Sequence, residues 1–443
     1  MLVPSARSVA ATVIARVVAE KAFAAAALDA ELERAVQLEA RDRALATELV
    51  YGTLRLLSWL EARINRHAKR GIEKLDPIVR AHLVLAAYQI FVLTRVPAFA
   101  AVSEAVSAIR AARGAQVAGF ANAVLRKLAA EPRPAADELA RAVFESTDPA
   151  LRASIERAIG KDAAFALLSS HEGAPPLGIR IEDAADRDAW LARLREARPH
   201  GSFEPGRVSP HAVLARSAGK VTDLPGYDEG AWTPQEEGSQ LVALALGARP
   251  GDVVLDACAG RGNKTGLLAR AVGANGAVDA ADVHPKKLDR LTRELSRIAC
   301  RPRSTFAVDW SLGTGGAELS SYDRILIDAP CSGTGTIRRR PELALRRSAA
   351  DVEELAGLQR AILARAASLL KPGGRLVYAV CSVLREEAEE VLASAAGDAG
   401  LEPALFEAGP ALAIAAEGET TLRLLPHEHG TDGYFVASLR RRT

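Results

Sequence analysis

Apolar residues recur at helical spacing through the first third of the chain. Within residues 40–68 they fall three or four positions apart, at Leu45, Leu49, Leu54, Leu57, Leu60 and Ile64, which places them on one face of a helix. The same criterion predicts helices after Pro77, from Ala86 to Leu93, and in the stretches "AFAAVSEAVSAIRAA" and "VAGFANAVLRKLAAE". The prolines of "EPRPAADE" then interrupt the pattern. An all-helical domain is therefore predicted for residues 1–135.

From residue 229 onward, short apolar runs alternate with amphipathic stretches. The runs predict strands over residues 252–258, 277–283, 304–310, 322–330 and 375–383, with helices between them. "TLRLLP" and "GYFVASLR" predict a closing hairpin. This alternation is typical of an α/β doubly wound sheet, expected over residues 229–443. Residues 136–228 combine one predicted strand, "PLGIRI", with helical and turn-rich stretches, and predict a small mixed α+β linker domain.

Composition and charge are those of an ordinary globular protein. Hydrophobic residues make up 49% and charged residues 25% of the chain. Residues 1–140 hold 19 basic and 14 acidic residues, a net of +5, against 38 and 41, a net of −3, in the remainder. The basic N-terminal region favours a polyanionic partner, and a solvated helical surface explains its charge equally well. No targeting signal or membrane-spanning stretch is found, so we expect a cytoplasmic protein.

The cysteines argue against a metal site or a disulfide scaffold. Four in 443 residues are too few for a scaffold, and Cys258, Cys300, Cys331 and Cys381 lack the spacing of metal ligands. "HEH" at residues 427–429 has no further ligand spaced for a metal, and none is expected. Cys381 lies near the end of a predicted strand, where core packing is the simplest interpretation of a single thiol.

Four acidic residues follow one another at the ends of successive predicted strands: Asp256, Asp282, Asp309 and Asp328. Any one of them could cap a helix. The carboxyl ends of parallel strands meet at one edge of a sheet, so all four together favour a nucleoside-like cofactor that carries an amino group. The turn "DACAGRGNKTG" lacks the spacing of a phosphate loop, and its glycines would let backbone approach such a ligand. The combination suggests S-adenosylmethionine.

Two cysteine motifs carry a specific resemblance. "DAPCSGTG" together with "YAVCS" resembles the signature of the RNA 5-methylcytosine methyltransferases, the family of Sun, RsmB and the nucleolar NOL/NOP proteins. "RDRALATELVYGTLR", "RVPAFAAVSEAV" and "GFANAVLRKL" resemble the NusB-like RNA-binding domain of the RsmB branch. The resemblance implies an all-α NusB-like domain, the linker domain, and a Rossmann-like class I S-adenosylmethionine-dependent methyltransferase domain.

The resemblance also implies the roles of individual residues. Cys381 would attack C6 of a cytosine, Cys331 would assist removal of the C5 proton, and Asp328 would bond the edge of the base. The cofactor would be held by Cys258, Ala259, Gly260, Arg261, Gly262, Asn263, Lys264, Asp282, Asp309 and Asp328. Asp282 would bond the ribose hydroxyls and Asp309 the adenine amino group. The arginines of "RRRPELALRR" would contact RNA phosphates, unless they form a solvated surface.

The chain departs from the family pattern in three places. "AGRGNKT" replaces the usual A-A-P-G-G-K-T, Glu182 stands where the family often has Asn, and Ala388 follows Glu387 where Asn is common. The implied substrate is 16S ribosomal RNA, and the implied state is a monomer. Two alternatives remain open, namely the same chemistry on another RNA such as transfer RNA, and a non-catalytic RNA-binding factor of ribosome assembly.

Overall fold

The computed structural model describes residues 4–68, 71–169, 175–314, 319, 321–407 and 409–443. The chain separates into two compact units. The first comprises Met1–Ala153, Ala164–Ala174 and Ile337–Arg347, and the second comprises Ser154–Ala163, Pro175–Thr336 and Ser348–Thr443. The predicted fold class, a helical region followed by an α/β sheet, is confirmed. The division at residues 135 and 228 into three domains stays a prediction.

Helices account for the regular structure of described residues 6–168: α1 Ala6–Ala19, α2 Ala24–Arg34, α3 Ala40–Arg55, α4 Leu57–Asn65, α5 Pro77–Phe91, α6 Ala98–Ala129, α7 Ala136–Ser146, α8 Pro149–Ile159 and α9 Lys161–Leu168. Two details differ from the prediction. The stretch 40–68 breaks at Leu56, whose φ and ψ of −103° and 10° are not helical. The two helices expected after Pro77 form one, because nothing between them interrupts the backbone.

Helix α5 is the centre of the first unit. Asp76 caps it by accepting from the amides of Ile78 and Val79, with Pro77 in the first turn. It contacts α1, α3, α4 and α6, so its side chains are buried on all sides rather than along one stripe. His82 is among them, and burial lowers its pKa to about 4.

Residues 337–347 interrupt the second unit in sequence but belong to the first unit. The buried carboxylate of Glu342 accepts a hydrogen bond from the Ala24 amide at 3.1 Å. The guanidinium of Arg346 donates to the carbonyl oxygens of Val17, Lys21 and Ala22. Arg346 therefore anchors this segment to the helical unit, which departs from the phosphate contact expected for it.

The second unit begins with a small antiparallel sheet. Its strands are β1 Leu177–Ile181, β2 Ser202–Pro205, β3 Ala212–Arg216 and β4 Trp232–Pro234, in the order β2-β3-β1-β4, with helix α10 Arg187–Ala197 against β2 and β3. Strand β3 lies within a stretch that was expected to be rich in turns, with no strand predicted there. The core of this sheet contains Trp232, Phe203 and Ile179.

The large sheet of the second unit is mainly parallel. Its strands are β5 Val253–Asp256, β6 Ala277–Asp282, β7 Ser304–Ala307, β8 Tyr322–Asp328, β9 Leu370–Val380, β10 Leu401–Pro403, β11 Thr421–Leu424 and β12 Tyr434–Arg441. The helices are α11 Glu237–Leu244, α12 Asn263–Val272, α13 Pro285–Arg297, α14 Ala349–Ser368, α15 Glu389–Ala395, α16 Gly409–Ile414 and α17 Pro426–His429. The strand order is β10-β12-β9-β8-β5-β6-β7, and β11 pairs with β12.

The order of strands determines where a ligand can bind. Strands β5 to β9 run parallel, while β12 is antiparallel to β9. The chain proceeds outward from β5 in one direction through β6 and β7, and in the other through β8 and β9. A crevice opens at the carboxyl end of a sheet where the order reverses in this way, and here it opens beside β5.

We predict that His82 makes the protein sensitive to mild acid. Its pKa is lower in the folded than in the unfolded chain, so folding stability is complete above about pH 6.5 and falls as pH drops towards 4. The loss attributable to His82 should reach about 3 kcal/mol near pH 4. Urea titrations of the wild type and His82→Leu between pH 7 and pH 4 measure it. Parallel pH dependences in the two proteins would contradict the assignment.

Candidate active site

The carboxyl ends of β5, β8 and β9 meet in the crevice. Asp256 pairs with Leu326 and Asp328 pairs with Ala379 across the parallel ladder, so the register itself brings the predicted acids and the segment after β9 to one edge. Cys381 follows β9 directly, rather than lying within the strand as expected. Of the predicted site residues, those after β5, β8 and β9 converge, and Asp282 joins them through the loop after β5.

The loop after β5 is held by backbone hydrogen bonds to both neighbouring strands. The amide of Ala257 donates to Leu326, and that of Ala259 donates to Ala281. Gly262 has a φ of +86°, and a β-carbon there would lie 2.7 Å from the Leu291 side chain. Gly260, with a φ of +56°, faces open space. The two glycines thus allow a tight turn with an uncovered backbone.

A fully buried arginine, Arg180 on β1, holds the first residue of helix α12 in place. Its guanidinium donates to the backbone carbonyl of Asn263, to the Gln235 side chain at 2.6 Å and to Glu182 at 2.6 Å. The carboxylate of Glu182 also accepts from Arg270 at 2.9 Å. Glu182, a departure from the family pattern, therefore has a charged partner on each side. The sequence reasoning missed Arg180, since an arginine inside an apolar strand carries no spacing signal.

An ion pair occupies the centre of the crevice. Lys264 donates to Asp328 at 2.6 Å. Burial alone would lower the pKa of Lys264, but the neighbouring Asp328 carboxylate outweighs it and the net shift is upward. Asp256 accepts from the Thr265 hydroxyl at 2.7 Å, and burial raises the pKa of its carboxyl to about 6.

The two remaining acids lie on the other side of β5. Asp282 is nearly buried, and its carboxylate accepts from the amides of Gly260 at 3.0 Å and His284 at 2.9 Å. Asp309, just after β7, accepts from the hydroxyl and the amide of Ser311. These hydrogen bonds lower the pKa of the Asp309 carboxyl. Both side chains thus present carboxylate oxygens at or just after the ends of successive strands.

The thiols of Cys331 and Cys381 are 3.4 Å apart. Both are free and partly buried. The hydrogen bond with Cys381 and burial together raise the pKa of the Cys331 thiol well above its usual value. A pair of sulfur atoms at this distance places two potential nucleophiles or proton carriers on one substrate atom or on adjacent atoms.

A buried carboxylate, that of Glu387, joins the loops that carry the two cysteines. It accepts from the Ser332 amide at 2.7 Å, from the Ser332 hydroxyl, and from the Gln359 side chain at 3.2 Å. Gln359 also donates to the Pro330 carbonyl at 2.9 Å. From the other loop, the Ser382 hydroxyl contacts Ser332 at 3.3 Å. The sequence singled out Glu387 only as the residue before a departure, so its role was missed.

The loop after β5 also carries the thiol of Cys258. The pKa of the Cys258 thiol is raised well above its usual value by burial and by nearby carboxylates. Within the described residues, no three His, Cys, Asp or Glu side chains form a group that could hold a metal ion. None of the helices that the structure describes is long and apolar enough to cross a bilayer.

Comparisons with known proteins match both units of the chain. A family model described as 16S rRNA methyltransferase RsmB/F matches residues 243–440, and a NusB family model matches residues 4–130. Ribosomal RNA small subunit methyltransferase B of Pseudomonas putida is 33% identical and covers 98% of each chain. The protein of that name from Shewanella oneidensis is 30% identical, covering 96% of this chain and 99% of its own.

Solved structures show the same fold. The crystal structure of PH0851 is 23% identical, with a TM-score of 0.81 and full coverage of both chains. A methyltransferase homolog protein from Pyrococcus horikoshii is 26% identical, with a TM-score of 0.53, and covers 66% of this chain and 99% of its own.

We predict that Glu387→Ala destabilises the protein by about 3 kcal/mol, because it leaves the buried amide and hydroxyl of Ser332 without their acceptor. Glu390→Ala, which removes an exposed carboxylate from the same segment, should change stability by less than about 0.5 kcal/mol. Urea titration at pH 7.5 measures both. Equal losses in the two variants would show that the hydrogen bonds of Glu387 contribute nothing specific.

Proposed function

This chain belongs to the RsmB/F family of 16S rRNA methyltransferases, and on that premise we propose that it methylates C5 of a cytosine in 16S ribosomal RNA through a covalent adduct with Cys381. Membership establishes an S-adenosylmethionine-dependent enzyme that acts on RNA. The observation that carries the finer proposal is the pair of thiols, 3.4 Å apart beside Asp328 at the carboxyl edge of the sheet.

The residues of the crevice fit S-adenosylmethionine. The uncovered backbone at Gly260 leaves room for a ligand against the loop after β5. Asp282 and Asp309 present carboxylate oxygens at successive strand ends, which suits ribose hydroxyls and an adenine amino group. The loop residues Cys258 to Lys264 would line the methionine end. The cofactor supplies an electrophilic methyl group to this site.

The first chemical step in this proposal belongs to Cys381. The Cys331 thiol keeps its proton, because the hydrogen bond between the two sulfurs and burial raise its pKa. The Cys381 thiol passes its proton to solvent and reacts as the thiolate. The thiolate adds to C6 of the cytosine, and the displaced electron pair makes C5 nucleophilic. Asp328 bonds the base edge near N3, and Lys264 holds that carboxylate in place.

Cys331 acts in the second half of the reaction. Once the Cys381 sulfur is bonded to carbon it carries no charge, so it no longer holds the proton on Cys331. Cys331 can then lose this proton to solvent, and its thiolate can take the proton from C5. The C5–H electrons restore the ring double bond as the bond between Cys381 and C6 breaks.

The helical unit offers a surface for the RNA. An open groove of about 970 Å³ lies along the two halves of α6, which bends at Gly114 with a φ of 83°. Its lining includes the exposed ring of Phe99 and the side chains of Arg110 and Arg126. Neither arginine has an ion pair within the described part of the chain. An aromatic ring with two unpaired cations suits unpaired nucleotides, which stack and present phosphates.

The proposal also includes the oligomeric state, the metal content and the cellular location of the protein. A monomer without a metal ion, in the cytoplasm, accounts for the chemistry described, since every group that the proposal uses is a side chain of this chain or part of the cofactor. The departures in "AGRGNKT" remove the proline and one glycine of the family pattern and leave Gly262, Lys264 and Thr265 in place. The hydrogen bond from Arg180 to the backbone carbonyl of Asn263 supports the turn where the family has a glycine.

We predict different outcomes for the two cysteine variants. Cys381→Ala should lose methyl transfer to RNA and form no adduct, whereas Cys331→Ala should accumulate an adduct because the C5 proton is not removed. Incubation with 16S ribosomal RNA and labelled cofactor, followed by denaturing gel electrophoresis, measures both. Cys300→Ala, away from the crevice, is the matched control. Methylation by Cys381→Ala would overturn the assignment of the nucleophile.

The substrate is tested by bisulfite sequencing of total RNA from cells with and without the gene. Loss of one 5-methylcytosine from 16S ribosomal RNA is the expected result. Loss from transfer RNA would keep the chemistry and replace the substrate. An unchanged map, with wild-type protein inactive on both RNAs in vitro, would favour a non-catalytic assembly factor.

We predict that Arg110→Gln and Arg126→Gln each weaken RNA binding and reduce its salt dependence. Removing one cation from a phosphate should make the slope of log K against log salt less steep by about 0.7. Arg141→Gln, an exposed arginine on α7 outside the groove, should leave the slope unchanged. Fluorescence anisotropy with a labelled single-stranded RNA at several salt concentrations measures the slopes. Identical slopes for all three variants would exclude the groove as the RNA-binding surface.

A further inference from the structure

We propose that Cys331 and Cys381 are the site of a reversible oxidative modification, a disulfide formed by peroxide that stops methyl transfer until a thiol reductant restores it. The bond formation depends only on the geometry of the two sulfurs. Its effect on activity rests on the proposed function, in which both thiols take part.

The structure holds the two sulfur atoms close to bonding distance. They are 3.4 Å apart, and a disulfide bond is about 2.05 Å long, so each sulfur needs to move by about 0.7 Å. The segments that carry them are tied to each other, since the Gly335 amide donates to the Cys381 carbonyl at 3.1 Å and the Thr334 hydroxyl contacts Ser382 at 3.0 Å. The folded protein therefore holds the two thiols close together.

Access and charge favour a reaction with a small oxidant. Cys331 and Cys381 are each partly exposed, so hydrogen peroxide can reach the crevice. The ammonium group of Lys264 interacts electrostatically with Cys381, so a positive charge lies near the attacking sulfur. Cys258 is a poor competitor, because burial and nearby carboxylates raise the pKa of its thiol.

The reaction balances with peroxide as the only co-reactant. The Cys381 thiolate attacks one peroxide oxygen, the O–O bond breaks, and the released hydroxide takes up a proton to become water, leaving a sulfenic acid. The Cys331 sulfur then attacks the Cys381 sulfur, the S–O bond breaks, and the hydroxyl leaves as water with the Cys331 proton. Two thiols and one peroxide give one disulfide and two waters, with two electrons passing from sulfur to oxygen.

The disulfide removes both groups that the proposed reaction needs. A sulfur in a disulfide has no free electron pair of thiolate character to add to C6, and Cys331 can no longer take a proton. A nearby resolving thiol also limits further oxidation, because the sulfenic acid is consumed before it reaches the irreversible sulfinic state. The pair would thus protect the nucleophile as well as switch it off.

The test treats the full-length protein with one equivalent of hydrogen peroxide and maps its peptides without reduction. We expect a linked pair of peptides containing Cys331 and Cys381, two hydrogen atoms lighter than the separate thiols, and at least a tenfold loss of methylation that dithiothreitol restores. Cys300→Ser should behave as the wild type. In Cys331→Ser treated with at least two equivalents of peroxide, the first should convert Cys381 to a sulfenic acid and the second to a sulfinic acid, which dithiothreitol does not reverse.

The outcomes separate this inference from the proposed function. Methylation that persists with no linked peptides after peroxide would overturn the inference and leave the function intact. Linked peptides in a protein that never methylates RNA would keep the modification and overturn the function. Linked peptides with undiminished methylation would overturn the proposed regulation by showing that the thiols are not both required.

Discussion

The buried carboxylate of Glu387 is the group on which the geometry of the crevice depends. Through Ser332 and Gln359 it reaches the loop of Cys331, and that loop in turn contacts Ser382, next to Cys381. Two segments that are distant in sequence are thereby held so that their sulfur atoms touch. A charge inside a protein is costly unless hydrogen bonds satisfy it, and here that requirement makes the loops interdependent.

The sheet and its helices could be predicted because burial on both faces leaves a strong apolar signal in each parallel strand. The acids and cysteines could be placed at one edge because they lie at or just after the ends of predicted parallel strands. The family resemblance carried by "DAPCSGTG" and "YAVCS" is confirmed by the comparisons. The roles of single site residues stay predictions. The contacts of Arg180 and Glu387 could not be predicted, because these residues bind partners that are far away in the sequence.

In the helical unit, local sequence patterns were poor predictors of two features. A continuous apolar run cannot distinguish one buried helix from two, and α5 proved to be a single helix because it is surrounded by neighbours on every side. Likewise, the arginine run 338–347 was expected to face RNA, yet Arg346 satisfies three backbone carbonyls of the same unit. Charge counted along a sequence does not say whether a guanidinium finds its acceptors inside the protein or outside it.

The position of residues 337–347 in the first unit has a consequence for how the chain is made. A ribosome synthesises the helices of residues 6–168 first, but the segment that supplies Glu342 and Arg346 emerges only after the small sheet and strands β5 to β8 of the large sheet have been translated. Until then the amide of Ala24 and the carbonyls that receive Arg346 lack their native partners. The unit whose translation begins first is therefore completed only after residues 175–336 of the second unit have been made, so the synthesis of the two units overlaps.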